Sequence, residues 1–429
     1  MTSETASRMN DPGSTVPAAV PAATRRLPPD AAGVAEAAAL LRAGQLVAFP
    51  TETVYGLGAD ATDAAAVARI FAAKERPRFN PLISHLPDAD AALAQGVFDA
   101  HARRLAEAFW PGPLTLVVPS HPGTGICDLA RAGLPSGALR VPAHPLAQAL
   151  LAAVGRPVAA PSANRSGRVS PTRADHVLDD LAGRIAAVLD GGDTRVGIES
   201  TVVACLGGTP RLLRPGGITR AALRAVLGLA PTAPEAGASD RPTGPGMLAS
   251  HYAPRARVRV DAVRVEPGEA VLLFGADRPA GHEAARAALN LSPAGDPVEA
   301  AARLFGALRD LDATGAATIA VVPIPTDGLG EAIRDRLARR GRPRCGGHLF
   351  RRRGNRPGRR PFTSYEGLLS PQMAFSLSGS EQSEPFFLPA AQASLAAIPA
   401  TWRPWKRAPS SSTALGWREP SPSAIVLAP

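Results

Sequence analysis

Short apolar segments alternate with alanine-rich helical segments along residues 31–229, and this alternation most limits the possible folds. "QLVAFPT", "NPLISHL", "PGPLTLVVPS", "GALRVPA", "RPVAAPSA" and "ESTVVACL" are typical of short buried strands. "AAGVAEAAALLRAG", "DAAAVARIFAAKE" and "HPLAQALLAAV" have the apolar spacing of helices. Because the alternation lacks strict βαβ regularity, it predicts an α/β domain with a twisted, mixed sheet and flanking helices.

The segments outside this domain differ from it in composition. Residues 1–30 are polar and rich in Pro, Ala and Ser, which predicts a flexible leader. Residues 230–256 are rich in Pro, Gly and Ala and predict an extended linker. One helical segment between two strand-like segments predicts a small second α/β domain over residues 257–338. Residues 339–429 show no sustained period and are predicted to be a disordered tail.

The formal net charge of +10 is confined to that tail. Residues 1–338 hold equal numbers of basic and acidic side chains, so they offer no electrostatic basis for tight binding of a polyanion. An RNA-binding arm is one interpretation of the basic tail, but its composition favours an incidental extension.

Several classes of protein lack support in the sequence. The three cysteines are far apart with no CxxC pair, which argues against a disulfide framework and a zinc ribbon. No apolar stretch is long enough for a transmembrane helix, and the amino terminus lacks a signal-peptide core. We therefore expect a cytoplasmic protein without a membrane partner. The sequence also lacks a P-loop, a GxSxG elbow and an HExxH motif.

Lys74 is the only lysine before residue 339, whereas every other basic residue in that part of the chain is arginine. It begins "KERPRFNPL", in which Arg76, Arg78 and Asn80 follow at alternating positions. Three cations so closely spaced are able to surround a triphosphate. A solvated helix end also carries cations, but it accepts Arg as readily as Lys. The sequence therefore predicts a site that requires the smaller ammonium group.

Polar side chains flank several of the predicted strands. They are Thr51, Glu52, Thr53, Tyr55, His85, Ser162, Asn164, Ser166, Ser170, Glu199, Ser200, Thr201 and Arg214. Each group alone is typical of a turn, and a lone histidine is more often structural than catalytic. Since ligands bind at strand ends in α/β sheets, the groups together predict one polar cleft. The glycines of "GLGAD" predict that the chain turns directly after Tyr55.

Seven ordered segments resemble the YrdC-like family: "FPTETVYGLGADA", "KERPRFNPLISHL", "WPGPLT", "RVPAHP", "APSANRSGRVSPT", "IESTVV" and "LRPGGI". With "RPTGPGMLASHYAP" and a small domain after it, the chain resembles the long form of that family, the threonylcarbamoyl-AMP synthases. The resemblance covers about residues 31–338. It implies a YrdC-like sheet and a small Rossmann-like carboxy-terminal domain. It also implies an enzyme that forms threonylcarbamoyl-AMP and pyrophosphate from L-threonine, bicarbonate and ATP. A downstream tRNA threonylcarbamoyltransferase would use the product to modify tRNA beside the anticodon.

The resemblance further implies roles for individual residues. Threonine is expected to contact Thr53, His85, Arg140, Ala160 and Ser200, with Arg140 at its carboxylate. ATP is expected to contact Lys74, Arg76, Asn80, Ser136, Ser162, Ser170, Arg214 and Tyr252. Lys74 and Arg76 are the expected catalytic cations, because transfer at phosphorus needs positioning and charge neutralisation more than a protein nucleophile. Mg²⁺ is expected with the ATP phosphates rather than on protein ligands. Tyr252, on the linker, is expected to cover the nucleotide.

The chain departs from the family pattern at a few positions. Glu75 stands where Gly is more common, which is tolerable only if its carboxylate points away from the phosphates. Ser136 stands where Thr is common and keeps the hydroxyl group. The chain also continues well past residue 338, where the family typically ends. We hypothesise that a shifted reading frame produced this tail, and sequencing of the gene's 3′ end would test this.

Two alternatives stay open from the sequence alone. A carbamoyl-adenylate-forming maturation enzyme also contains a YrdC-like domain, but such enzymes carry zinc-finger cysteines that this chain lacks. The other alternative is an RNA-binding YrdC-like module that contacts double-stranded RNA or tRNA. The neutral charge of residues 1–338 argues against this second alternative.

Overall fold

The computed structural model describes residues 23–77, 79–233 and 253–338. Within them we distinguish an N-lobe, the described residues from 23 to 233, and a C-lobe, residues 253–338. The predictions for Arg78, for Tyr252, for most of the linker and for the tail lie outside the described residues.

A ten-stranded mixed sheet runs through the described part of the N-lobe, in the order β1-β8-β2-β3-β7-β4-β6-β5-β9-β10. The strands are β1 (Arg25–Leu27), β2 (Val47–Phe49), β3 (Gly56–Asp60), β4 (Ile83–His85), β5 (Leu114–Pro119), β6 (Ser136–Arg140), β7 (Val158–Ala159), β8 (Ala187–Leu189), β9 (Thr201–Ala204) and β10 (Arg211–Arg214). Parallel and antiparallel pairs both occur, so the predicted mixed α/β fold is confirmed.

Helices flank this sheet, and short polar side chains set where several of them begin. They are α1 (Ala31–Arg42), α2 (Ala64–Lys74), α3 (Ala89–Leu93), α4 (Ala100–Phe109), α5 (Asp128–Arg131), α6 (Pro145–Val154), α7 (Ala174–Leu181) and α8 (Arg220–Leu227). Asp30 and Asp63 cap α1 and α2 by accepting hydrogen bonds from backbone N–H groups. The last residue of α2 is Lys74, so the end of this helix places the lysine singled out by the sequence.

The C-lobe contains a smaller, parallel sheet in the order β11-β14-β12-β13. Its strands are β11 (Arg257–Arg259), β12 (Ala270–Leu273), β13 (Ala287–Asn290) and β14 (Thr318–Val321), and its helices are α9 (Pro297–Ala313) and α10 (Leu329–Ala338). The apolar strands "AVLL" and "TIAV" are buried at most positions, as a parallel sheet requires. Among the described helices of both lobes, none combines the length and apolar character that crossing a membrane demands.

The apolar core of the C-lobe extends onto the N-lobe. Val54, Val169 and Ile198 of the N-lobe belong to the same buried cluster as Leu304 of α9. Each of these three N-lobe residues is a chain neighbour of a polar residue in the predicted site. The C-lobe therefore packs directly behind the segments that carry that site.

Two predictions for the N-lobe are wrong. "GLGAD" is the interior strand β3 rather than a turn, and all five of its residues are buried. A Cβ atom on Gly58 would lie 3.0 Å from the Phe49 ring and 3.1 Å from the Val47 carbonyl oxygen, so glycine here allows close packing. The predicted leader also contains β1, which pairs with β8 although only Leu27 of its three residues is buried. One buried residue gives too weak a pattern to predict a strand.

Candidate active site

Most of the predicted site residues line one cleft of the N-lobe. They are Thr53, Arg76, His85, Arg140, Ala160, Ser162, Ser200 and Arg214. Thr51 and Glu199, which were not assigned roles from the sequence, line it as well. Arginines outnumber carboxylates among these lining residues, and the charge therefore suits an anionic ligand.

The cleft is lined by residues from both ends of the strands, because some neighbouring strands run in opposite directions. Strand pairing places the carboxyl ends of β2 and β7 on one side of the sheet, where these strands end, and those of β4, β6 and β10 on the opposite side. Thr53 and Ser162 follow the first pair, whereas Arg140 and Arg214 end strands of the second group. β4 has three residues and is therefore about 10 Å long. A ligand in the cleft is able to reach residues at both ends of this strand. The prediction that several polar strand ends form one cleft is confirmed, and in this mixed sheet those ends belong to strands that run in opposite directions.

Lys74 is buried behind the cleft, with 1% of its surface exposed. Its Nζ donates to the carbonyl oxygen of Ser162, at 2.5 Å, and to that of Asn164. Burial, with the positive charge of Arg76 nearby, lowers the pKa of Lys74 well below its usual value. The alternative of a solvated helix end is therefore excluded, and Lys74 anchors the loop that carries Ser162.

The segment after α2 carries Arg76 and Asn80, and the charge of Arg76 acts on Lys74. Arg76 is 8% exposed and lines the cleft, with Nη2 3.4 Å from the Pro81 carbonyl oxygen. Asn80 is fully buried and does not line the cleft, and neither polar atom of its amide has a hydrogen-bond partner in the described structure. A buried amide without partners is costly, so its assignment to ATP stays a prediction that requires the neighbouring segment to open.

Glu75 points away from this group of cations. Its exposed carboxylate pairs with Arg165 at 2.5 Å and with Arg184 at 3.0 Å, and these two arginines lower its pKa. Its φ angle of 54° is left-handed, which is a conformation that favours glycine. The structure thus explains both how this chain tolerates Glu75 and why glycine suits the position.

Arg140 forms a buried ion pair at the end of β6. Its Nη2 lies 2.8 Å from Oε1 of Glu52, and its Nε donates to the carbonyl oxygen of Gly112. The second carboxylate oxygen of Glu52 is buried without a hydrogen-bond partner in the described structure. Glu52 therefore orients Arg140 through one carboxylate oxygen, and its other oxygen is available to accept a hydrogen bond from a ligand.

His85 is an uncharged member of the cleft. Burial and the neighbouring charge of Arg140 lower its pKa from 6.5 to about 3. Its ring contacts Phe49 edge to face, with 6.1 Å between the centroids. Its Nδ1 is buried and has no partner among the described residues. A neutral imidazole with one unused nitrogen is able to hydrogen-bond a substrate without adding charge.

Ser200 and Arg214 both line the cleft and are hydrogen-bonded to each other. Arg214 donates to the Ser200 carbonyl oxygen through Nε and Nη2, at 3.1 and 2.9 Å. The Ser200 hydroxyl lies 2.7 Å from Oγ1 of Thr115. A Cβ atom on Gly216 would lie 2.4 Å from the Glu199 carbonyl oxygen, so the glycine after "RP" permits this contact between β9 and β10.

Ser170 connects the cleft to the C-lobe through Glu199. Its hydroxyl donates to Oε1 of Glu199 at 2.5 Å, and Nε of Arg336 on α10 donates to Oε2 at 2.7 Å. Ser170 itself is fully buried and does not line the cleft.

Known proteins resemble the chain over both lobes. A family model described as "Telomere recombination" matches residues 39–216, and one described as "Threonylcarbamoyl-AMP synthase, C-terminal domain" matches residues 218–340. Threonylcarbamoyl-AMP synthase of Bacillus subtilis is 42% identical over 333 residues, which are 74% of this chain and 94% of that protein. The Pyrococcus abyssi enzyme of the same name is 44% identical over 70% of this chain and 92% of its own length. The crystal structure of P. abyssi Sua5 complexed with L-threonine matches with a TM-score of 0.66 and 38% identity, covering 74% of this chain and 96% of that one.

This chain belongs to the threonylcarbamoyl-AMP synthase family. The family supports the main interpretation of the sequence over the RNA-binding module and the maturation enzyme.

Several predicted residues lie apart from the cleft lining of this family member. Ser136 begins β6 opposite Pro119 of β5 and does not line the cleft. Tyr55, which the sequence placed among the polar strand ends, is a core residue whose hydroxyl donates to the Gly192 carbonyl oxygen. Burial raises the pKa of that hydroxyl well above its usual range. The Thr51 hydroxyl bonds to Thr53, so Thr51 shapes the turn that presents Thr53.

Glu52 and Glu199 were predicted among the polar strand-end residues of the cleft, but their ion pairs with Arg140 and Arg336 were not predicted. Arg336 gave no signal, because it lies on a helix of the other lobe and more than a hundred residues from Glu199. A larger cavity of about 460 Å³ lies between the lobes and contains none of the predicted site residues. Its lining consists of apolar residues with Arg220, Asp261, Glu331, Arg334 and Asp335.

Proposed function

We propose that this chain forms threonylcarbamoyl-AMP and pyrophosphate from L-threonine, bicarbonate and ATP. The observation that carries the proposal is the cleft in which Arg76, Arg140 and Arg214 meet His85 and Ser200. Its support is the match of both lobes to a family whose P. abyssi member is complexed with L-threonine.

Threonine would bind among Arg140, His85, Ser200, Thr53 and the backbone at Ala160. The guanidinium of Arg140, held by Glu52, provides a fork for the threonine carboxylate. His85, being neutral, does not repel the threonine amine, which must lose its proton to act as a nucleophile. These residues thus hold the amino acid without a charged base beside its nitrogen.

The reaction would proceed in two bond-forming steps. The threonine nitrogen attacks the carbon of bicarbonate, and water leaves as the carbamate forms. A carbamate oxygen then attacks the α-phosphorus of ATP, and the bond to the β-phosphate oxygen breaks as pyrophosphate departs. Arg76 and Arg214 line the cleft where this charge would shift, with Lys74 directly behind Ser162. Positioning and charge neutralisation are the main requirements of such a step.

Mg²⁺ would accompany the ATP phosphates. The cleft fits a protein-bound metal poorly, because its lining carboxylate, Glu199, is already engaged by Ser170 and Arg336. Among the described residues, no group of three or more His, Cys, Asp or Glu side chains is placed to hold a metal ion. The ATP phosphates, rather than side chains of the cleft, would therefore hold the ion.

The product would need a second enzyme. A mixed carbamic–phosphoric anhydride is labile in water, so a tRNA threonylcarbamoyltransferase must receive it before hydrolysis. The neutral charge of residues 1–338 is consistent with handing on a small molecule rather than holding tRNA tightly.

An assay of pyrophosphate release tests the proposal. We expect release from the whole chain only when L-threonine, bicarbonate and ATP are all present, with threonylcarbamoyl-AMP detected by mass spectrometry. Arg214→Gln should abolish most of this activity, whereas Arg224→Gln, the same charge change on an exposed position of α8, should not. Release that does not require threonine would instead favour a carbamoyl-adenylate-forming enzyme.

A further inference from the structure

Arg336 is a cation of the C-lobe that is buried in a contact with the N-lobe. Its side chain has no exposed surface. Its Nε donates to Glu199 at 2.7 Å, and its Nη1 donates to the Pro215 carbonyl oxygen at 2.9 Å and to Asp335 at 2.7 Å. A fully buried guanidinium is retained only with such partners, and two of them belong to the other lobe.

Both N-lobe partners of Arg336 are chain neighbours of predicted substrate residues. Glu199 directly precedes Ser200, and Pro215 directly follows Arg214. One guanidinium group therefore holds the start of β9 and the end of β10 together at the cleft. No residue of the N-lobe in the described structure replaces Arg336 in its contact with Oε2 of Glu199.

Glu199 is the side chain whose charge makes this contact important. It lines a cleft that is otherwise rich in arginine, and its two oxygens are occupied by Ser170 and Arg336. A carboxylate at this place without a cation would oppose the binding of a triphosphate. The ion pair neutralises it and fixes it toward Ser170.

We propose that Arg336 is a positioning residue for the nucleotide, through which the C-lobe neutralises Glu199 and completes the ATP side of the cleft. This inference rests on the proposed function, because ATP is the anion at issue. It assigns the C-lobe a role in substrate binding in addition to packing.

Replacement of the two partners of the ion pair should have opposite effects on KM for ATP. Arg336→Gln leaves Glu199 unpaired, so we expect KM for ATP to rise about tenfold with a smaller change in KM for threonine. Glu199→Gln removes the carboxylate from the cleft while Arg336 keeps its ion pair with Asp335, so KM for ATP should fall. A purely structural contact would instead raise KM for ATP in both variants.

Arg309→Gln is the matched control. Arg309 lies on α9, crosses the same interface, donates to the Val169 carbonyl oxygen and pairs with the buried Asp180 at 2.9 Å. It thus also holds a neighbour of a predicted ATP residue, Ser170, but it does not neutralise Glu199. Asp180 keeps Arg168 as a second partner and does not line the cleft. We expect a loss of thermal stability similar to that of Arg336→Gln, but without the tenfold change in KM for ATP.

The double variant Glu199→Gln/Arg336→Gln keeps the test decisive if Arg336→Gln alone folds poorly. It removes both charges, and KM for ATP should return to within about threefold of the unaltered chain. Equal changes of KM for ATP in Arg336→Gln and Arg309→Gln, or a double variant no better than Arg336→Gln, would overturn the inference. An unaltered chain that fails to bind ATP in calorimetry would overturn the proposed function itself, and this inference with it.

Discussion

The two lobes treat buried polar groups differently. In the N-lobe, charged and amide side chains such as Lys74, Asn80, Arg140 and Glu199 are buried around one cleft. In the described residues of the C-lobe, the buried polar side chains are Ser292 and Arg336, and Arg336 contacts the N-lobe. Burial of a polar or charged group is unfavourable unless partners compensate it. The N-lobe therefore buries the groups that are proposed to carry the chemistry, at a cost in stability, whereas the described interior of the C-lobe is largely apolar.

Replacement of Lys74 should produce the largest effect on the N-lobe side of this comparison. Lys74→Arg keeps the charge, but the wider guanidinium does not fit a site that is 1% exposed and bounded by two carbonyl groups. We expect kcat/KM to fall by roughly two to three orders of magnitude, measured by pyrophosphate release. Arg165→Lys, which alters an exposed ion pair one residue after Asn164, is the control and should cost less than about twofold. Near-normal turnover of Lys74→Arg would remove the reason for a lysine there.

A buried residue within the C-lobe should affect stability instead of catalysis. Leu273 of β12 packs in a buried cluster made only of C-lobe residues, so Leu273→Ala should lower the free energy of unfolding by about 2–5 kcal/mol. The kcat/KM of the folded protein should change by less than about twofold, because this cluster includes no N-lobe residue. Denaturant unfolding and steady-state kinetics below the transition measure the two quantities. A large loss of activity with the fold intact would abolish the distinction between the lobes.

Arg140 tests whether a buried charge pair of the N-lobe serves the substrate. Arg140→Gln should raise KM for threonine by about 30-fold or more, because a desolvated partner of the carboxylate is lost, while KM for ATP changes little. Glu52→Gln/Arg140→Gln distinguishes the two roles of Arg140. If Arg140 mainly neutralises Glu52, the double variant will recover threonine binding, and the assignment of Arg140 to the carboxylate will be wrong.

Acid should weaken the N-lobe through its buried histidines. The pKa values of His85 and His176 are lowered from 6.5 to about 3, mainly by burial. Between these pH values the unfolded chain binds protons that the folded chain does not bind. The contribution of each neutral histidine to the free energy of unfolding is therefore fully present above pH 6.5 and is lost as the pH falls toward 3. At pH 5 each histidine should account for about 2 kcal/mol of this loss. Urea unfolding at pH 7 and pH 5 measures it, and His85→Gln should show a smaller difference than the unaltered chain. An identical pH dependence would mean that His85 is not buried as a neutral group.

Glu75 should have the smallest effect, although it lies between Lys74 and Arg76. Glycine suits its left-handed φ angle, but Glu75→Gly also removes two exposed ion pairs and adds freedom to the unfolded chain. We expect changes below about 1 kcal/mol in stability and below about twofold in kcat/KM. A marked gain or loss of activity would show that the Glu75 carboxylate reaches the phosphate side of the cleft.

The sequence predicted well those parts of the N-lobe in which local pattern and final environment agree. The helix that ends at Lys74 and the strand "LTLVVP" carry their own periodicity, and the structure contains both. The sequence-based prediction failed where a residue makes room for residues that are distant in the chain. Gly58 was assigned to a turn because glycine usually breaks regular structure, but here its missing side chain leaves room for Phe49 and Val158.

The candidate site divides in the same way. The polar strand ends were visible in the chain, and most of the assigned residues line the cleft. Ser136 lies apart from the lining, and Tyr252 lies outside the described residues. The partners that hold the lining residues, such as Glu52 for Arg140, could not be predicted, because spacing in the sequence does not show which side chains meet.

By itself, the sequence determined the α/β class, the order of the motifs and the single lysine at the end of α2, since these depend on local composition and on spacing along the chain. Only the tertiary structure decided that the cleft is lined from both ends of the strands in a mixed sheet. It also decided that Lys74 is buried against two carbonyl groups and that Arg336 reaches Glu199 from the other lobe. The physical reason is that burial and charge pairing depend on which groups share a low-dielectric interior. That partnership is established only when segments far apart in the chain pack together.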